Sequence, residues 1–335
     1  MIFSYGFSIK GKYHIENDIC CQDSHCIKIL PNGWHIAAIA DGVSSSENSQ
    51  IGSKIAVDTA VDFCYKFMPY DYNLNSIKCL IRLAFCNAYK QIINEAEKLQ
   101  QPVESFDTTL SLAIYDGRRV IYGHAGDSSI IGLTTFGDYV EITKPQKGED
   151  GHSVIPLRFG SFFWVIDDYN EDLVSVLLVT DGIKDWVFSP YQIKEGNTNG
   201  MYIPIVSFFA DSNIVPNDEK SQERLKKDFE EFIDAQDDYD SKKFYSRLSK
   251  VYDKHIKKES KKIIKEIQKN DFPTKLMNKS PDDKTIVGLI NTDVQLDDKN
   301  IEFYAEPNWK ELQEKWNRKA YPHLYKDESD ELKDE

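Results

Sequence analysis

"LVSVLLVTDGI" at residues 173–183 decides the architecture, because an apolar run there ends on a carboxylate and a glycine, Asp181-Gly182. The same event occurs far upstream, where "IAAIADGV" at 36–43 stops at Asp41-Gly42. Unbroken apolar runs of this length read as buried strands. Glycine after each aspartate removes side-chain bulk and lets the backbone turn sharply, so that its carbonyl can also face an ion. An isolated Asp-Gly is an ordinary turn pair. Two of them at strand ends invite a search for more carboxylates in the same situation.

Outward from these runs, residues 3–9, 25–30 and 34–40 read as strands, the last two joined by a turn at Pro31-Asn32-Gly33. Two helical patterns follow. Ile51, Ile55, Thr59, Phe63 and Phe67 recur within 49–67, and Ile77, Leu80, Ile81, Ala84, Phe85, Ala88 and Ile92 within 76–99. Strands return at 108–115 and 118–124, which flank the hairpin pair Asp116-Gly117, and at 128–133, 175–180 and 285–290. They arrive in groups, without regular βαβ alternation. That predicts an α+β fold in which antiparallel sheets pack with helices.

The segment 218–271 is rich in charge but keeps Leu225, Phe229, Phe232, Phe244, Leu248 and Val251 at helical spacing, which predicts two or three amphipathic helices. Residues 292–335 form a tail. Its stretch "EPNWKELQEKWNRKAYPHLY" carries two tryptophans and two tyrosines and is expected to dock on the body or on a partner, while the final ten residues are expected to be disordered.

The chain has 335 residues, of which 41% are apolar, enough for a sizeable core. A net charge of −14 counts against binding nucleic acid or an anionic membrane surface. No apolar run approaches a membrane span, and "MIFSYGFSIKGKYH" does not read as a signal peptide. The six cysteines form no Cys-x-x-Cys pair, which fits reduced thiols and a cytoplasmic location; Cys64, Cys79 and Cys86 are expected in the core.

Six carboxylates share the placement that the Asp-Gly pairs suggest. Asp41 and Asp181 end strands, while Asp23, Asp127, Asp282 and Asp283 precede them. Strand ends cluster at sheet rims, so these groups can converge on one rim. A pair of carboxylates about 4 Å apart repel by about 1 kcal/mol in water, and by several times more at lower effective dielectric. Protons or cations must offset that repulsion. An all-oxygen set favours hard ions such as Mg²⁺ or Mn²⁺.

The segments "CCQDS" (20–24), "AAIADGV" (37–43), "FDTTL" (106–110), "GHAGDSS" (123–129), "LVTDGIKD" (178–185) and "SPDDKTIVGL" (280–289) occur in this order. As a set they resemble the type 2C family of metal-dependent protein serine/threonine phosphatases. The opening "SIKGKYHIENDICCQDSH" is similar to a bacterial branch of that family. The resemblance covers roughly 1–290 and implies one catalytic domain over 1–291, built as two packed antiparallel sheets flanked by helices.

It also implies roles. Asp41 would bridge two Mn²⁺ or Mg²⁺ ions, with the Gly42 carbonyl beside it. Asp181 and Asp282 would bind one of them, with Asp283 the second choice. Asp23 would hold the site directly or through water, and Asp127 would serve a third, weaker ion. The implied chemistry is in-line attack on a phosphoserine or phosphothreonine of a kinase-modified protein, by water activated between the two ions. His14 is the candidate general acid. The arginine that many relatives place before the first metal aspartate to bind phosphate is missing, and Lys12 or His14 is expected in its stead, without arginine's bidentate fork. The alternative is a catalytically weak or silent relative that binds phosphoprotein or acts as a scaffold. A serine hydrolase is disfavoured by the lack of a Gly-x-Ser-x-Gly elbow. A metal-dependent nuclease is disfavoured by the acidic balance.

Overall fold

The computed structural model describes residues 1–151, 153–187, 201, 203–211, 281–294, 296 and 309–324. Among these residues, ten strands form two five-stranded antiparallel sheets. The first runs β1 (Ile2–Ile9), β10 (Lys284–Asn291), β9 (Leu173–Val179), β6 (Ser129–Thr134), β7 (Tyr139–Glu141). The second runs β2 (Ser24–Ile29), β3 (His35–Ala40), β4 (Leu110–Tyr115), β5 (Val120–Ala125), β8 (Val165–Asp168). This is the α+β sandwich that the grouped strands predict. The edge strands β7 and β8 are too short to leave a clear mark in the sequence.

The apolar runs are unbroken because their strands are buried on both faces. In β3, Ala37 and Ile39 join Ala113, Tyr115, Val176, Leu178 and Leu289 between the sheets. Ile36, Ala38 and Ala40 face the other way, toward α2 (Ser49–Phe67) and α3 (Leu74–Leu99). Across the first sheet, the helix α5 (Ile203–Ala210) is held by hydroxyls: Tyr5 donates to the Phe209 carbonyl at 2.7 Å and Ser175 to the Ala210 carbonyl at 2.8 Å.

The α3 stripe is buried as its spacing predicts. The α2 stripe is not. Its buried face is Gly52, Ser53, Ala56, Val57, Ala60, Val61 and Cys64, whereas Ile51, Ile55 and Phe63 flank it and Phe67 is exposed. Small residues let α2 approach the sheet closely, so the large ones are left on its sides. Cys64 is buried, but Cys79 and Cys86 are exposed on α3, which corrects their expected place in the core. None of the six cysteines is in a disulfide.

Two short helices were not evident from the sequence: α1 (Lys12–Glu16) and α4 (Asp181–Val187). The predicted helices within 218–271 lie outside the described residues, as do the last eleven residues. In the tail, Trp309–Ala320 forms a helix, α6. Among the described residues no helix is long and apolar enough to cross a membrane.

Candidate metal centre

The two Asp-Gly pairs meet because β3 and β9 end at the same rim of the sandwich. Carboxylate oxygens of Asp41, Asp127 and Asp181 lie within 4.8 Å of one another. Asp282 joins them along a cleft of about 390 Å³, whose other lining residues include Thr109, Lys147 and Arg158. Glycine is required after each aspartate by close approach. A Cβ on Gly182 would stand 2.0 Å from the Asp283 carbonyl, and one on Gly42 would stand 2.8 Å from the Gln22 carbonyl.

The "FDTTL" segment clamps the first pair. The Asp41 amide donates to Thr109 Oγ1 at 2.9 Å, and the Asp41 carbonyl accepts from the Thr109 amide at 2.8 Å and from Thr108 Oγ1 at 2.9 Å. The Val43 amide donates to the Asp107 carbonyl at 3.0 Å. These bonds fix the backbone from which the Asp41 carboxylate projects.

Electrostatics mark the cluster as crowded. Burial raises the Asp41 carboxyl above the usual carboxylate range, and the charges of Asp23, Asp181, Asp282 and Asp127 push it the same way. Asp23 is buried behind it and raised by burial and by Asp283, although Thr180 Oγ1 donates to its Oδ2 at 2.8 Å. Asp282 is also raised, chiefly by burial. At Asp127, Lys147 Nζ pairs with Oδ2 at 2.6 Å and Lys184 Nζ donates to the backbone carbonyl at 3.3 Å. The buried ammonium of Lys284 donates to the Asp282 carbonyl at 3.1 Å. The donor set is all oxygen and strongly anionic, which fits hard divalent cations.

Asp283 points elsewhere. It is buried, and its oxygens accept from the Gly11 amide at 2.7 Å and the Gln22 amide at 2.5 Å, with His14 Nδ1 at 2.9 Å. His14 is thus buried against Asp283 and is not among the residues lining the cleft. Lys12 is half-exposed on α1, 3.9 Å from Glu16. The cations on the cleft wall are instead Lys147 and Arg158. Arg158 makes a bidentate pair with Asp107, Nε at 2.7 Å and Nη2 at 2.9 Å. Neither cation carries a local sequence signal: both lie in the segment between β7 and β8, Arg158 in the single helical turn Leu157–Phe159. Asp107 and Thr109 do lie in a quoted motif, but what they hold, Arg158 and the Asp41 backbone, is set by the folded geometry.

The family described as protein phosphatase 2C matches residues 10–230. No curated protein matches the chain. Among solved structures, a mutant of a bacterial serine phosphatase aligns over 89% of this chain and 100% of its own, with a TM-score of 0.52 and 12% identity. A sex-determining protein of C. elegans aligns over 91% of this chain and 68% of its own, with a TM-score of 0.51 and 14% identity. At such identities the likeness is one of fold. The family match ends before β10, yet β10 sits between β1 and β9 and brings Asp282 to the cleft.

Proposed function

The chain belongs to the protein phosphatase 2C family and is a protein phosphatase, and from that premise we propose that it hydrolyses phosphoserine and phosphothreonine in kinase-modified proteins of the cytoplasm. In this reading Asp41 and Gly42 would hold two Mn²⁺ or Mg²⁺ ions together with Asp181 and Asp282, Asp23 would support them from behind, and Asp127 would serve a third. The observation that carries it is the convergence of Asp41, Asp127 and Asp181 within 4.8 Å in a cleft that Asp282 also lines. Such crowding is costly unless cations offset it. Bound divalent ions would acidify a coordinated water and neutralise charge developing on the phosphoryl oxygens.

The chain's own residues would do the rest. Thr108 and Thr109 fix the Asp41 backbone, so the carboxylate projects into the cleft from a set position before substrate arrives. Arg158 and Lys147 would attract the phosphate to an otherwise anionic cleft, the part assigned from sequence to Lys12 or His14. His14 would keep Asp283, and through it the start of β10, in position. The substrate enters as a phosphorylated side chain; nucleic acid and membrane surfaces would be repelled by the net charge of −14.

Asp41→Asn tests the assignment. Hydrolysis of p-nitrophenyl phosphate and of a phosphoserine peptide should require Mn²⁺ or Mg²⁺, stop in excess EDTA and be lost in the variant, while its near-ultraviolet circular dichroism stays unchanged. Undiminished turnover in the variant would refute it. A wild-type protein that binds the phosphopeptide but never turns it over would favour the silent scaffold.

A further inference from the structure

Beside the cleft the chain exposes aromatic rings that its fold does not use. Phe162 is 90% exposed, Phe159 49% and Phe163 36%. Soluble proteins seldom display contiguous large apolar groups without a use for them. They are linked through Phe163: Phe159 and Phe163 have centroids 5.9 Å apart at 64°, and Phe162 and Phe163 lie 5.2 Å apart at 85°. Phe159 also lines the cleft, and its ring lies 5.4 Å from the Arg158 guanidinium carbon. An apolar strip therefore begins at the cleft wall and runs outward.

The strip is held, not loose. Gly160 turns the chain at φ +89°, a conformation that side chains resist. The Phe163 amide donates to the Gly160 carbonyl at 3.0 Å, and Gln146 Nε2 donates to the Phe163 carbonyl at 2.6 Å. The next residue, Trp164, is buried and donates from Nε1 to the Leu157 carbonyl at 3.0 Å. One ring of the "GSFFW" run thus anchors the loop, while its two phenylalanines remain outside.

We propose that Phe159, Phe162 and Phe163 form a specificity subsite that takes an aromatic or long aliphatic side chain of the substrate polypeptide, close in sequence to its phosphorylated residue. The inference rests on the phosphatase reading, because the strip is continuous with the cleft that would receive the phosphate. A flexible peptide with its phosphate fixed at the carboxylate rim must leave the cleft along a wall. On the Arg158 side that wall is aromatic. Apolar and edge-to-face contacts there stabilise a phenylalanine or leucine of the substrate and give nothing to a serine.

The test is a pair of phosphoserine peptides that differ by one residue, Phe or Ser, placed in turn at each position flanking the phosphoserine, with p-nitrophenyl phosphate as a third substrate. For at least one position, wild-type kcat/KM should favour the Phe peptide about tenfold. Phe162→Ser should cut that preference to about twofold without changing hydrolysis of p-nitrophenyl phosphate, and Phe162→Leu should restore most of it. Because Phe162 is almost wholly in solvent, neither substitution threatens the fold. If all three substrates are hydrolysed and no position shows a preference, the subsite is refuted while the phosphatase reading stands. If none is hydrolysed with Mn²⁺ or Mg²⁺ present, both fall. If Phe162→Ser instead dissolves a dimer and leaves the peptide ratio unchanged, the strip is a self-association surface and the proposal is overturned.

Discussion

Asp282 and Asp283 are neighbours in sequence with opposite surroundings. Asp283 accepts from two backbone amides and lies 2.9 Å from His14 Nδ1, so its charge is met by donors supplied from the N-terminal segment. Asp282 accepts from the Asp283 amide at 2.9 Å and lines a cleft shared with Asp41, Asp127 and Asp181. The first arrangement is what a buried carboxylate needs for stability. The second leaves Asp41 with its proton affinity raised by burial and by the charges of Asp23, Asp181, Asp282 and Asp127. Such an arrangement is tolerable in a site that binds cations. One backbone step therefore divides a latch from a candidate ligand.

The largest effect that would sharpen this division is expected at Asp282. Asp282→Asn should lower kcat/KM about a thousandfold, roughly 4 kcal/mol of transition-state stabilisation, with no loss of stability in metal-free buffer. Asp283→Ala should do the reverse in kind. It strands the Gly11 and Gln22 amides and should cost about 3 kcal/mol of unfolding free energy, read by urea denaturation. If instead Asp283→Ala abolished metal binding in a stable protein, the assignments of the two residues would have to be exchanged.

The sequence ranked Asp282 ahead of Asp283 only through the family resemblance; the residues themselves could not separate them, because the difference lies in donors from residues 11, 14 and 22. What was legible followed from local pattern. The apolar runs of β3, β9 and β10 and the large residues of α3 announced themselves through period and bulk. The buried face of α2 did not, because it is built from Gly, Ala, Ser and Val, which a search for large apolar residues passes over. Arg158 was illegible for another reason. Its bidentate partner Asp107 is 51 residues away, and nothing near either residue records that they meet.

Gly182 tests how rigidly the two aspartates are coupled to the rim. A Cβ there would stand 2.0 Å from the Asp283 carbonyl. Gly182→Ala must therefore push the start of β10 away from α4, at a cost of about 2 kcal/mol. Because Asp282 would move with it, turnover should fall along with the melting temperature. A variant as active and as stable as wild type would mean that the rim yields easily, and that the contrast between the two aspartates is softer than the geometry suggests.

The smallest expected effect is one of pH, and it isolates the crowding itself. In metal-free buffer the raised carboxyl of Asp41 binds protons more tightly in the folded protein than in the unfolded chain. Its contribution to stability is therefore lost as pH rises from the unfolded value toward the raised one. His35, buried at the start of the same strand, runs the other way. Burial lowers it to about 4, so between about 4 and its ordinary value the unfolded chain binds the extra proton and stability rises with pH. The two slopes oppose each other in the wild-type profile, and a single melting curve cannot separate them. The difference between wild type and Asp41→Asn can, because both carry His35. The variant should melt at a higher temperature in EDTA, by a few degrees, with the gap widening from pH 5 to pH 8. Mn²⁺ should close the gap by stabilising wild type more than the variant. A gap that is constant with pH, or that favours wild type in EDTA, would mean that Asp41 is not held among repelling charges, and the distinction between latch and cluster would fail at its central residue.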